Sequence, residues 1–105
     1  MGERRHKRII VSFPAELICN DKHYAGTIEN LSENGAYVIT APQRALATPD
    51  TIIALRFQSP SGEKYDLNCR LKWSYQTPPH GFTNSLGMEI IDPPLLYKEL
   101  LDTLR

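Results

Sequence analysis

The sequence is poor in the residues that build covalent or metal-held scaffolds. Of 105 residues, two are Cys and three are His. Cys19 and Cys69 stand far apart in the chain, and with no cluster of His and Cys around them they do not make a zinc site. Both fall on apolar faces of strand-like runs, which predicts buried thiols and no disulfide. His6, His23 and His80 are scattered, read as exposed residues of termini and loops, and no Ser or Cys stands beside one. The carboxylates come singly, without the paired pattern of acid–base work, and no glycine-rich phosphate cradle of the Walker or dinucleotide type is present. No enzyme activity, cofactor or metal is therefore expected. No apolar run approaches the ~20 residues of a membrane span, and the basic start is not followed by a hydrophobic signal segment. A cytoplasmic protein without membrane insertion is the expectation. Repeats, low-complexity segments and an interdomain linker are also missing, so the chain reads as one domain with a modest core.

Excess charge is absent overall, but the balance is uneven. Residues 1–8 carry a net +3 and residues 9–105 a net −3. A basic arm on an acidic body points to a local anion site at the N-terminal end. Binding to a nucleic-acid polymer is not expected, because it wants a broad basic face.

What is present is alternation. Between Ile9 and Cys19, Val11, Phe13, Ala15, Leu17 and Cys19 fall opposite Ser12, Pro14 and Glu16, a period of two that predicts a strand with one buried face. Pro14 lacks an N–H, so an edge or a bulge is expected there. Asn20-Asp21-Lys22 is a turn, and His23–Glu29 a second strand. Ala36–Thr40 is a third, followed by a Pro-containing loop over Ala41–Thr51. Ile53, Leu55 and Phe57 mark a fourth, closed by a turn at Pro60-Ser61-Gly62. The clearest alternation places Tyr65, Leu67, Cys69, Leu71, Trp73 and Tyr75 on one face of a fifth strand, so Trp73 reads as core rather than as a stacking platform for bases. Gln76–Phe82 is an irregular loop, and Asn84–Ile91 a sixth strand with Leu86, Met88 and Ile90 inward. Asp92 as N-cap and Pro93 at the first helical position predict a terminal helix, whose stripe is Leu96, Leu100 and Leu104 flanked by Tyr97 and Leu101. The fold class expected is all-β: a small six-stranded antiparallel β-barrel with a C-terminal α-helix.

Two short motifs frame the first half of the chain. Asn30-Leu31-Ser32-Glu33-Asn34-Gly35 joins two strand-like runs; Asn and Ser are turn formers, and Gly35 is expected to supply a positive φ. Arg4-Arg5-His6-Lys7-Arg8, just before the first strand, spaces two arginines by four. Arg4-x-x-x-Arg8 followed by Asn30-x-Ser32-x-x-Gly35 resembles the PilZ domain family, bacterial receptors for cyclic di-GMP. The likeness extends to the strand ending near Trp73 and to Leu86-Gly87-Met88-Glu89-Ile90 in the last strand, and so covers nearly the whole chain.

The resemblance implies the same barrel, and ligand contacts at Arg4, Arg8, Asn30, Ser32 and Gly35, with Arg5 as an additional contact. The residue chemistry is compatible. A guanidinium fork matches the O6/N7 edge of guanine or phosphate oxygens, and its flat face stacks on a purine. Two arginines four apart on an extended arm reach up to about 13–14 Å, enough to wrap a compact dinucleotide. Arginine only donates, whereas guanine N1–H and N2–H₂ need acceptors, which Asn30 and Ser32 supply. Asp often stands at the position of Asn30 in the family and makes the stronger, charge-assisted bond.

The expectation is thus a stand-alone cyclic di-GMP receptor or adaptor. Residues 1–8 are a flexible basic arm on a barrel of residues 9–105; the ligand orders the arm and changes what a partner meets, an unidentified protein or another copy of the chain. The family serves motility, exopolysaccharide and biofilm formation, adhesion and virulence. The alternative is a PilZ-type interaction module for pilus or flagellar function that does not bind the nucleotide.

Overall fold

A computed structural model describes residues 8–41, 46, 48–76 and 83–104. Six strands, β1 (Ile9–Cys19), β2 (Lys22–Ser32), β3 (Gly35–Thr40), β4 (Ile52–Gln58), β5 (Lys64–Gln76) and β6 (Asn84–Ile91), precede one helix, α1 (Leu95–Leu104). They close into an antiparallel barrel in the order β1-β2-β3-β6-β5-β4, with β1 pairing β4 to complete the ring. Closure removes the free sheet edges that would otherwise template aggregation.

Local sequence explains the connections. Asn20 and Asp21 both take positive φ (53° and 65°), the backbone that a two-residue hairpin needs to follow the strands' right-handed twist. Gly62, at φ 97°, turns the β4–β5 hairpin, where Gly62 N donates to Ser59 O at 2.9 Å. Pro14 lies one residue beyond the β1–β4 ladder, which starts at Ala15, so its missing N–H costs no bond there. A bulge between Ile10 and Phe13 sits just before it.

The barrel interior is filled by alternate residues of every strand, among them Leu17, Ile28, Val38, Leu55, Leu67, Leu71 and Leu86, each essentially inaccessible. Phe13, Phe57 and Tyr65 stack with centroids 5.8 and 5.3 Å apart. Cys19 and Cys69 are buried thiols, and burial pushes the Cys69 thiol up to about 12.

The helix departs from its sequence expectation in two respects. Asp92 has φ 48°, outside the extended backbone of an N-cap. The first helical bond instead runs from Lys98 N to the Pro94 carbonyl at 3.1 Å. The buried stripe is Tyr97, Leu100 and Leu101, with Leu104 partly covered; Leu96 is 68% exposed and Leu95 69%. Four-residue spacing joins Leu96 to Leu100 equally well, and only docking on the barrel selects Tyr97's side. Tyr97 Oη donates to the Ser32 carbonyl at 2.5 Å, and Lys98 Nζ lies 3.7 Å from Glu33. The helix is thereby fastened to the β2–β3 connection. Burial, reinforced by Cys69 and Glu33, pushes the Tyr97 phenol well above its usual range.

His23 lies in β2, as the expected strand His23–Glu29 requires, and is exposed there and bonds Glu16. His80, and Arg4 and Arg5 of the arm, lie outside the described residues.

Candidate ligand-binding site

The second motif is less of a loop than its composition suggests. β2 continues through Ser32 and β3 begins at Gly35, leaving Glu33 and Asn34 as the turn. Gly35 does not have the expected positive φ; Gly62 is the described glycine that does. The absent side chain matters for space instead. A Cβ on Gly35 would lie 3.1 Å from Ser32 Oγ and 3.7 Å from the Met88 carbonyl. The turn is pinned to β6 by Ile90 N, which donates to the Asn34 carbonyl at 2.9 Å.

Directly paired residues of antiparallel strands share a face, so the registers define rows on the outer surface of the barrel. One row runs Ile10, Asn30, Tyr37, Gly87, Trp73 across β1, β2, β3, β6 and β5. A second runs Ser32, Gly35, Glu89, Arg70. Each row contains one position without a side chain, Gly87 in the first and Gly35 in the second. Between the rows lies a cleft of about 230 Å³, lined among others by Arg8, Gly35, Tyr37, Lys72, Trp73 and Glu89. That is below the roughly 300–1,000 Å³ of sites that enclose a whole small molecule, so it fits part of a ligand.

Arg8 stands at the rim and joins the two motifs: its Nη1 donates to Asn30 Oδ1 at 3.2 Å. Asn30 Oδ1 is therefore an acceptor directed at the arm. Ser32 is largely buried, its carbonyl held by Tyr97. Of the residues expected to bind, Arg8, Asn30, Ser32 and Gly35 come together at one end of the β1–β2–β3 surface.

Trp73 corrects the sequence expectation. A bulge between Leu71 and Trp73 inserts Lys72, so Tyr65, Leu67, Cys69 and Leu71 point into the core while Trp73 and Tyr75 point out. They are 42% and 55% exposed. The Trp73 ring lies 5.7 Å from Tyr37 and 5.8 Å from Tyr75, and Tyr37 Oη donates to Ser85 Oγ at 3.1 Å, fixing one end of an aromatic ledge. The ledge depends on Gly87: a Cβ there would fall 2.2–2.5 Å from three indole atoms. An isolated glycine within a strand pattern is the one sequence signal that pointed to such a close approach. Electrostatics favour an anion at the rim, since Arg8 and Lys72 line the cleft with one carboxylate, Glu89, whose charge is offset by Lys72 Nζ at 3.8 Å and by Arg70 Nε at 3.7 Å. Arginine beside an aromatic face and an amide acceptor suits a nucleotide with both phosphate and base.

The PilZ domain profile matches residues 3–104. The chain belongs to the PilZ domain family. The PilZ barrel recurs in solved structures of low sequence identity. The Bacillus subtilis inhibitor of motility (MotI/DgrA) superposes with TM-score 0.82 at 12% identity, over 99% of this chain and 50% of that one. The PilZ domain of YcgR from Escherichia coli, solved with c-di-GMP, gives 0.73 at 13% identity over 96% and 87%. The K. pneumonia MrkH–c-di-GMP complex gives 0.72 at 16% over 98% and 53%. This PilZ chain thus spans about half the length of MotI/DgrA and MrkH. No curated protein matches it in sequence. Among the described residues, no helix is long and apolar enough to cross a membrane, and no three His, Cys, Asp or Glu group as a metal site.

Proposed function

We propose that this PilZ domain is a cyclic di-GMP receptor whose ligand is held between the N-terminal arginines and the outer rows of β2, β3, β5 and β6. The observation that carries this reading is the Arg8–Asn30 hydrogen bond at 3.2 Å, which brings the two sequence motifs to one cleft. Arg4, Arg5 and Arg8 contact phosphate oxygens and the O6/N7 edge of guanine. Asn30 and Ser32 supply acceptors, and Gly35 leaves room for the ligand beside Ser32. Trp73, with Tyr37, offers a face for one base, a role the sequence pattern had assigned to core packing. The cleft is small for a dinucleotide, and the arm covers what protrudes.

The output follows from the same geometry. Ordering the arm over the barrel costs conformational entropy, roughly 1–2 kcal/mol per fixed residue before contacts repay it, so arm position tracks ligand occupancy. The ligand-bearing motif is also bonded to α1 through Ser32 and Tyr97. That helix carries Leu95 and Leu96 in the open, an apolar surface for a protein partner or a second copy. A signalling role in the cytoplasm, in motility or biofilm formation, belongs to this proposal. It involves no catalytic step.

Titration calorimetry with cyclic di-GMP, alongside an Arg4→Ala/Arg8→Ala variant, tests the reading. Saturable micromolar or tighter binding by the wild type is expected. The variant should lose it while keeping its melting temperature. A well-folded wild type that gives no heat and no shift in melting would leave the non-binding interaction module as the better account.

A further inference from the structure

We propose that Glu89 reads guanine in the cleft, its carboxylate accepting the N1–H and N2–H₂ donors that adenine does not present on that edge. This inference rests on the cyclic di-GMP reading. The row Ser32–Gly35–Glu89 places two acceptor side chains on either side of a position without a side chain. The Ser32 Oγ sits close over Gly35, 3.1 Å from where a Cβ would lie, and on the other side Glu89 lines the cleft together with Trp73. A purine stacked on the indole thus turns one edge toward Glu89.

The chemistry of the lining separates the roles. Arg8 and Lys72 only donate, so they serve phosphate or the O6/N7 edge and cannot satisfy guanine N1–H and N2–H₂. Glu89 carries the one carboxylate among the described residues lining the cleft. Two oxygens in one plane match two parallel donors better than a single amide oxygen does. Its ion pairs with Arg70 and Lys72 converge on Oε1 at 3.7 and 3.8 Å, both beyond hydrogen-bonding length. They offset the charge, which limits repulsion of the ligand's phosphates, without taking up its acceptor directions. Glu89 is half exposed and stands on β6 between β3 and β5, so it is both reachable and rigidly placed.

The test is a cycle of two proteins and two ligands. Wild type and Glu89→Ala are titrated with cyclic di-GMP and with cyclic di-IMP, which keeps every atom of the ligand's bases except the 2-amino group. Wild type is expected to favour cyclic di-GMP by about tenfold or more, the scale of a charge-assisted hydrogen bond. In Glu89→Ala that preference collapses toward unity, and Glu89→Gln, with one acceptor oxygen, restores part of it. A carboxylate that merely organised Arg70 and Lys72 would weaken both ligands alike. The same preference in wild type and Glu89→Ala therefore overturns the inference while leaving the receptor reading intact. A wild type that binds neither ligand overturns both. Melting curves confirm that the half-exposed position tolerates the changes.

Discussion

Gly87→Ala isolates the glycine that seats the aromatic ledge. The added Cβ would lie 2.2 Å from Trp73 Cε2, 2.4 Å from Nε1 and 2.5 Å from Cζ2. Carbon atoms in contact sit about 3.5–4.0 Å apart, so the ring must retreat by more than about 1 Å. Trp73 is 42% exposed, and its open side lets the ring swing outward without moving the strand. A buried aromatic side chain covers 150–250 Å², so roughly 100 Å² of the indole is covered in place. Losing half of that, at about 25 cal/mol per Å², costs on the order of 1–1.5 kcal/mol. Against this, Ala in place of Gly returns about 0.5–1 kcal/mol of backbone entropy. The net change in stability is therefore small, and a single variant would be ambiguous.

A double-mutant cycle removes the ambiguity. In a Trp73→Ala background the alanine meets no ring, and Gly87→Ala should stabilise by about 0.5–1 kcal/mol; the coupling with Trp73 is then on the order of 1–1.5 kcal/mol. Denaturant titrations measure it. Trp73 is the single tryptophan of the chain, so indole fluorescence reports the ring directly. Gly87→Ala should shift the emission toward that of a more solvated indole and weaken cyclic di-GMP binding. Additive stabilities with unchanged emission would refute the claim that the ring rests on Gly87.

Other consequences can be measured separately. Tyr97→Phe removes a buried donor to the Ser32 carbonyl and should destabilise by about 1–2 kcal/mol, seen as a drop of several degrees in melting temperature. It should weaken ligand binding as well, because Ser32 belongs to the motif; a fall in stability with no change in affinity would uncouple the helix from the site. At alkaline pH the raised Cys69 value predicts stability that is full below about 9 and lost as pH rises toward about 12. The raised Tyr97 phenol acts in the same direction above about 10. Denaturation midpoints across that window should fall more gently in Cys69→Ala, and an identical slope would show that the thiol does not titrate with unfolding.

Alternation along single strands determined most of this architecture. Leu17, Leu55, Leu67, Leu86 and their neighbours face inward as their period-two spacing requires, because each strand buries one face wherever it stands in the barrel. The two motifs could be read too, since Arg4-x-x-x-Arg8 and Asn30-x-Ser32-x-x-Gly35 are local and chemically explicit. Gly35 was recognisable as necessary, although its reason is the space beside Ser32 and not the φ angle that a turn suggests. What the tertiary structure alone decided is which residues become neighbours across strands. A bulge inserts one residue and leaves no mark on hydrophobic alternation, so Trp73 and Tyr75 read as core and stand outside. Helix docking similarly chose Tyr97 over Leu96, a choice that periodicity leaves open by a fraction of a turn. Glu89 and Gly87 acquire meaning only through pairing with Gly35, Tyr37 and Trp73, residues distant in sequence. Register is a property of the closed barrel, fixed by all six strands at once, and no single stretch of the chain contains it.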